Sequence, residues 1–397
     1  MPLLNPIFPF VGDDLMSDTI YADHAATTPL EPEAWEAMCY WLTKDFSNPA
    51  ALYRSGIAAH QAVERARQSV AECLRCSASQ IFFTSGGSES NTWAILSGAS
   101  RAGIGSREVV TTPIEHHSVG RACASLKNSG IAVYTLPVSE EGKIDLPALL
   151  RALERQPRLV TIQYANNEVG TIQDIPTIST LCQKKGVLLH VDAVQAIGHI
   201  PVVLDGIDFL SASAHKFGGP KGIGFLYARN PALLKPLIFG GEQQSGLRPG
   251  TEPVAQIVGL ACALKLACKQ MEQHAAFKRM LAEEFCQTLR QSWAEVYFNS
   301  TKAGLPGLVS VGLPGYEGQN LTYRLDVAGV CVSPGAACDN TRSRNASHVL
   351  LALGETAARN ALCTLRFSFG RANHSGDGIE AAQRLVKILQ SMPKRLL

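Results

Sequence analysis

The chain has 397 residues, 46% of them apolar and 18% charged, with a formal net charge of +2. That balance gives no electrostatic case for a nucleic-acid or membrane surface, and no apolar run reaches the ~18 residues that cross a bilayer. The length exceeds what one hydrophobic core usually organises, so two domains are expected. The opening Met1-Pro2-Leu3-Leu4-Asn5-Pro6-Ile7-Phe8-Pro9-Phe10 is apolar but broken by proline. It has no basic start and no small-residue cleavage site, and is not expected to act as a signal peptide. Eleven cysteines lie scattered with no disulfide-like framework, which points to a reducing cytoplasm.

Residues 61–76 have helical composition and period and carry Cys73 and Cys76; no second pair completes a zinc site, so no metal is expected. Short apolar runs at 81–84, 108–112, 131–135, 159–165, 187–191, 208–212 and 223–227 read as strands. Amphipathic stretches at 118–128, 146–155 and 175–185 lie between several of them. Alternation of this kind predicts a mostly parallel, buried sheet in an α/β fold. After Pro253 the texture changes: 254–292 is a nearly unbroken helical pattern, read as the link to a second domain. Short strands at 308–311, 330–333 and 364–369 and a last helix at 378–391 predict a smaller α+β domain. No internal repeat or low-complexity tract is present.

Polar residues cluster where the apolar runs end. His190-Val191-Asp192-Ala193-Val194-Gln195 and Ser211-Ala212-Ser213-Ala214-His215-Lys216 each turn from apolar to polar. A lysine can form a Schiff base with an aldehyde, and an aspartate can hold a pyridinium nitrogen protonated. Together they are the protein's half of pyridoxal phosphate chemistry. Thr84-Ser85-Gly86-Gly87-Ser88-Glu89-Ser90-Asn91 follows a strand and opens a helix, where free N–H groups and the helix dipole suit a phosphate. Of Glu115-His116-His117-Ser118, a histidine could stack on a ring and shuttle protons near neutral pH. Asn166-Asn167 sits at another strand end; asparagine there is ordinarily a turn former, but could also donate to a carboxylate. These strand ends are expected to converge on one edge of the sheet, where α/β proteins bind ligands. In the last third, Arg366 stands inside the strand pattern Leu365-Arg366-Phe367-Ser368-Phe369. A buried arginine needs an anionic partner, either a structural carboxylate or a substrate carboxylate that fits its planar fork. Cys331 lies in an apolar strand and is expected to be buried. Cys338 ends the small-residue run Ser333-Pro334-Gly335-Ala336-Ala337, where a thiol would be exposed.

With these residues in view, the chain resembles the pyridoxal phosphate (PLP)-dependent cysteine desulfurases of the iron–sulfur-cluster and nitrogen-fixation group, in the class V aminotransferase superfamily. Tyr21-Ala22-Asp23-His24-Ala25-Ala26-Thr27-Thr28-Pro29, Asn48-Pro49, Gly241-Glu242-Gln243-Gln244-Ser245-Gly246-Leu247-Arg248-Pro249-Gly250-Thr251 and Ser347-His348-Val349-Leu350 also match family motifs, so the likeness runs from about Tyr21 to Arg371. It implies fold type I: a large PLP-binding domain at 20–266 built on a seven-stranded sheet, with 1–19 and 267–397 forming the smaller domain. It implies Lys216 as the Schiff-base lysine, Asp192 on the pyridinium nitrogen, Gln195 on the ring oxygen and His116 stacked on the ring. Gly87, Ser88, Ser213 and His215 would hold the phosphate, and Thr251 would reach the phosphate of a neighbouring subunit in a homodimer. Asn167 and Arg366 would grip the substrate carboxylate. L-cysteine would become L-alanine while Cys338 takes the sulfur as a persulfide and passes it to a protein acceptor, with His116 helping to deprotonate a thiol.

The chain departs from the family pattern in places. Ser88 stands where threonine is common and keeps the hydroxyl. Tyr53 replaces a histidine near Asn48-Pro49. The usual Ser-Ser-Gly-Ser-Ala-Cys becomes Ser333-Pro334-Gly335-Ala336-Ala337-Cys338, with Pro334 stiffening its start. The longer run that follows adds Arg342 and Arg344. These changes leave the acceptor open among iron–sulfur assembly, tRNA thiolation, thiolated cofactors and DNA phosphorothioation, and the unusual loop favours a dedicated partner. The rival readings are a selenocysteine lyase, a transaminase on the same scaffold, and a non-catalytic binding scaffold.

Overall fold

The computed structural model describes residues 18–100, 105–335 and 346–394. A short strand β1 (Ile20–Tyr21) leads into helices α1 (Pro32–Thr43) and α2 (Arg54–Leu74). Strand and helix then alternate as the apolar periodicity requires. In order come β2 (Ile81–Thr84), α3 (Gly87–Ala99), β3 (Ser106–Thr111), α4 (His117–Leu126), β4 (Ala132–Thr135), α5 (Leu146–Glu154) and β5 (Pro157–Gln163). They are followed by α6 (Ile175–Lys184), β6 (Leu188–Asp192), β7 (Phe209–Ser213) and β8 (Gly224–Ala228). The seven strands form one sheet in the order β2-β8-β7-β6-β5-β3-β4, with only β8 antiparallel to its neighbours. The fold class expected from the sequence is the one observed.

Because successive side chains in a strand point to opposite faces, the sheet builds two cores. Val160, Leu189, Leu210 and Phe225 pack against α2, α5, α6 and a later helix, α7 (Val254–Lys269). Leu159, Leu188, Phe209 and Leu226 pack against α3 and α4 on the other face. Both faces are covered, as a parallel sheet needs.

The register fixes the site. In the three parallel strands at the centre, Gln163 pairs with Asp192 and Asp192 pairs with Ser211. Gln163 and Asp192 therefore line up at the carboxyl ends of β5 and β6, beside Ser211 in the middle of β7. At the same edge Thr84 pairs with Gly224, which pairs with Ser213.

The helical pattern at 254–292 is two helices, α7 and α8 (Met271–Ser292), meeting at Gln270 with a bend of 73°. No glycine or proline marks the break. α7 buries Ile257, Leu260 and Leu264 in the core beneath the large sheet, whereas α8 buries Leu281, Phe285 and Leu289 in a separate cluster. Docking on two cores sets the bend. That second cluster is completed by β9 (Tyr297–Phe298), β10 (Leu308–Gly312), α9 (Gly318–Val327), β11 (Val330–Cys331), β12 (Thr364–Ser368) and α12 (Asp377–Ser391), while the short helices α10 (His348–Ala352) and α11 (Glu355–Arg359) pack apart from it against Ile114 and Val169. β12-β10-β9 form a small antiparallel sheet, and β1 pairs in parallel with β11, so Ile20 and Ala22 pack in the second cluster. Among the described residues no single helix is long and apolar enough to cross a membrane.

Candidate active site

A cavity of about 480 Å³ opens at the carboxyl edge of the large sheet, within the range of ~300–1,000 Å³ usual for cofactor sites. Its anionic-ligand end lies at the turn from β2 into α3. Gly86 has φ +148°, a conformation that disfavours any side chain, and a Cβ on Gly87 would stand 2.6 Å from Val194 Cγ2. The turn thus brings bare backbone close to the end of β6. The first N–H groups of α3 have no acceptor within their own helix. Ser213 closes the other side, its Oγ 3.4 Å from where a Cβ on Gly86 would be. A single 3-10 turn, Ala214–Lys216, then swings His215 and Lys216 over the cleft. His215 Nδ1 lies 3.1 Å from Thr27 Oγ1. Burial, with Lys216 and Lys221 nearby, lowers its imidazole to about 4.

Lys216 Nζ donates to the carbonyls of Ala25 (2.6 Å) and Ala26 (2.8 Å). Gln195 Nε2 donates to the same Ala25 carbonyl at 2.9 Å. Asp192 is only 2% exposed; its Oδ1 accepts from the Val194 N–H (3.0 Å) and its Oδ2 from Asn91 Nδ2 (2.8 Å). A buried carboxylate with these donors is held for an ionic partner.

His116 caps α4: its Nδ1 accepts from the Ser118 N–H at 3.2 Å and lies 2.7 Å from Ser118 Oγ. Burial holds the imidazole below its ordinary value, against the opposing pull of Asp192. An amide N–H only donates, so Nδ1 is the acceptor and a neutral His116 carries its proton on Nε2. In that tautomer the ring offers a hydrogen-bond donor at Nε2. Asn91 Nδ2 also donates to Ser118 Oγ at 2.9 Å, tying His116 and Asp192 to one side chain.

Arg366 is 1% exposed; its Nη2 donates to Asp23 Oδ1 and its Nη1 to the Asn167 carbonyl, both at 2.8 Å. The arginine therefore has a structural carboxylate partner and also lines the cavity, with Nε buried and unpartnered. Asn166 is the turn former of its pair, accepting from the Glu168 and Val169 N–H groups, while the Asn167 side chain accepts from Gln163 Nε2 and lines the cleft.

The cavity gathers Gly87, Ser88, His116, Asn167, Asp192, Gln195, Ser213, His215, Lys216 and Arg366. Thr251 is exposed and does not line it. Cys338 lies outside the described residues. The strand before it pairs with the site: Ser333 N–H donates to the Arg366 carbonyl (3.2 Å) and Arg366 N–H to the Ser333 carbonyl (2.8 Å). After it, Ser347 Oγ donates to Glu168, His348 Nε2 lies 2.9 Å from the Glu115 carbonyl, and the His348 ring is 4.5 Å from that of His117. Cys331, expected to be buried, is partly exposed because its two-residue strand is paired by only the short β1.

Asn91, Gln163, Asp23 and Lys221 belong to the site without having stood out in the sequence. Asn91 sits in a polar run, Ser88 to Thr92, at the start of α3, and within that run Ser90 and Asn91 are fully buried. The donors at one end and the carboxylate at the other fit an elongated ligand with an anionic group and a protonated nitrogen, with a lysine between them.

The fold and this site define a member of the aminotransferase class-V family, to which the chain belongs over residues 20–380. The chain is 37% identical over 383 residues to the protein named cysteine desulfurase IscS from Dictyoglomus turgidum, covering 95% of this chain and 97% of that one. A solved NifS-like protein superposes with a TM-score of 0.88 at 34% identity, covering 94% of this chain and all of the other. The structure described as SspA in complex with cysteine superposes with a TM-score of 0.73 at 32% identity, covering 89% and 99%.

Proposed function

We propose that the protein is a PLP-dependent cysteine desulfurase that converts L-cysteine to L-alanine and holds the sulfur as a persulfide on Cys338. The carrying observation is that Lys216, Asp192, His116 and Arg366 meet in one cavity, while the chain before the Cys338 segment is hydrogen-bonded to Arg366 and the chain after it to Glu168, next to the lining residue Asn167. The residues fit the cofactor: the Gly86-Gly87-Ser88 turn with Ser213 and His215 for the phosphate, Asp192 for the ring nitrogen, Gln195 for the ring oxygen. Bound there, PLP supplies an electrophilic aldehyde and an electron sink for the pair left when a Cα proton departs.

The chain does the rest. Arg366 and Asn167 bind the substrate carboxylate and so aim the Cα–H bond at Lys216, whose amine takes that proton and later returns one. Asp23 keeps the guanidinium in place before substrate arrives. His116, donating from Nε2, stabilises negative charge on a sulfur beside it. The Cys338 thiolate, the reactive form, attacks the substrate sulfur: the S–S bond forms as the substrate's Cβ–S bond breaks, the electron pair of that bond stays with the carbon skeleton, and Cβ takes a proton before alanine leaves.

The same reading includes a homodimer in a reducing cytoplasm. Exposed Phe46, Leu52 and Phe239, at 86, 92 and 88% exposure, and the outward Thr251 support a second copy covering this face. We place the domain division at the α7–α8 bend, with Ile20 to Ala22 counted to the smaller unit. The acceptor is a protein docking near the 336–345 segment.

The test is alanine formation from L-cysteine, with and without dithiothreitol, by the parent and by Cys338→Ser. Alanine from the parent and almost none from the variant supports the proposal. Equal alanine from both would overturn the persulfide step and favour lyase chemistry.

A further inference from the structure

A second cavity, of about 50 Å³, lies behind Lys216 between the 24–31 segment, the α7–α8 bend and the loops around β10 and β12. Its floor is a directed hydrogen-bond chain. His199 Nε2 is 2.8 Å from the backbone carbonyl of Lys216, and Lys278 Nζ is 2.9 Å from His199 Nδ1. A carbonyl only accepts, so Nε2 carries the hydrogen and Nδ1 accepts from Lys278. His199 is therefore neutral, in keeping with burial and the neighbouring Lys278, which push it well below its ordinary value.

That leaves the charge of Lys278 uncompensated. The residue is 5% exposed, and among the described residues no carboxylate pairs with it. The acid at this cavity, Glu31, is taken by Arg371. His24, 8% exposed, contributes an Nε2 with no partner. Phe217, Leu305, Leu308 and Phe369 wall the rest. A buried, unpaired ammonium costs several kcal/mol, which an anion beside it offsets. At ~10–15 Å³ for each water-sized sphere, the space holds about three to five non-hydrogen atoms. It would take formate, acetate or a halide and reject an amino acid.

We infer that this cavity is a binding site for a small monovalent anion, held by Lys278 and linked through His199 to the backbone of Lys216. The cavity lies behind the one assigned to substrate, with Ala25, Gln195 and Lys216 lining both, and its test reads binding rather than turnover. The groups facing Lys278 are His199 and Lys216 from the large sheet, His24 and Glu31 from the N-terminal segment, Arg371 after β12, and His274 and Arg279 of its own helix. Burial lowers Lys278 to about 8. Affinity is thus expected to hold below pH 8 and to fall about tenfold per unit above it.

The experiment uses the PLP-loaded protein. Its melting temperature is followed against acetate at constant ionic strength, with gluconate as the bulky control, for the parent, Lys278→Met and Lys278→Arg. Crystals of the parent are soaked in bromide. A saturable rise with acetate but not gluconate, lost in Lys278→Met and weakened above pH 8, is expected. So is an anomalous bromide peak within hydrogen-bond reach of Lys278 Nζ. An acetate response that survives in Lys278→Met, or a cavity without bromide, would overturn the inference. Should Lys278→Met not fold, the bromide map and the pH series on the parent decide alone.

Discussion

Asn91 is the side chain on which the two halves of the cofactor site depend, and removing it gives a measurable consequence. Its amide donates to Asp192 Oδ2 at 2.8 Å and to Ser118 Oγ at 2.9 Å, in a place with 1% exposure. A hydrogen bond to a charged group contributes ~1.5–3 kcal/mol, and one between neutral groups ~1 kcal/mol. After Asn91→Ala, Asp192 keeps the Val194 N–H alone. The ionised carboxylate is then destabilised by ~1.5–3 kcal/mol, which weakens any equilibrium that needs it charged by about 10- to 150-fold. The assay is a PLP titration of the apo protein followed by absorbance, with alanine formation measured in parallel. Asn91→Asp should do worse than Asn91→Ala, because it sets a second carboxylate against the first. Ser118→Ala should leave PLP affinity near the parent's while altering the pH profile of turnover, since it touches His116 and not Asp192. PLP affinity of Asn91→Ala within twofold of the parent would refute the reasoning.

Three further outcomes follow from the same geometry. Gly87→Ala drives a methyl into Val194 Cγ2 and should cost ~1–3 kcal/mol; Val194→Ala in the same chain should restore most of the loss in melting temperature and PLP binding. Glu115 is 3% exposed and burial pushes its carboxyl up to about 8, so the folded protein holds a proton the unfolded chain has lost above its ordinary value near 4.5. Its contribution is present below that value and drains by about 1.4 kcal/mol per unit as pH rises toward 8, so Glu115→Gln should gain on the parent in a melting series from pH 5 to 8. Arg366→Gln should lower stability by roughly 3 kcal/mol by stranding Asp23 and raise KM for L-cysteine more than 100-fold, whereas Asp23→Asn with Arg366→Gln should recover stability but not KM.

Much of this was readable because parallel strands buried on both faces must be apolar until they end. A polar residue at the end of such a run has few reasons to be there other than chemistry, and Asp192, Ser213 and Lys216 stand out for that reason. Arg366 stood out as a charge inside a strand, but sequence alone offered two anions for it. The structure supplies one, Asp23, and leaves the guanidinium on the cavity wall for the other. What was not readable is set by tertiary packing. The α7–α8 bend has no breaker residue, and a continuous amphipathic pattern conceals that its two halves dock on different cores. Asn91 acts on side chains more than twenty positions away, those of Ser118 and Asp192, and its local sequence predicts only a helix.

The segment Ala22 to Thr28 shows how the two cores make one site. Its first residues belong to the second cluster: Ala22 N–H bonds the Cys331 carbonyl, and Ser368 N–H bonds the Ala22 carbonyl. One residue on, Asp23 fixes Arg366. The Ala25 N–H is then held by Ser368 Oγ at 2.9 Å while its carbonyl receives both Lys216 and Gln195. Thr27 and Thr28 finish on His215, the latter through its N–H and hydroxyl to the His215 carbonyl. Within a few residues the chain thus touches Arg366, Lys216, Gln195 and His215. Peptide planes are rigid, so a shift of the second cluster moves Arg366 and the acceptors of Lys216 together. On the proposed function, a carboxylate bound at Arg366 is thereby coupled mechanically to the position of the Lys216 amine. The Ser368 hydroxyl is the pin of that coupling: Ser368→Ala frees the Ala25 N–H, and its effect should fall on kcat rather than on KM. A variant in which KM alone changed would show that the two groups move independently.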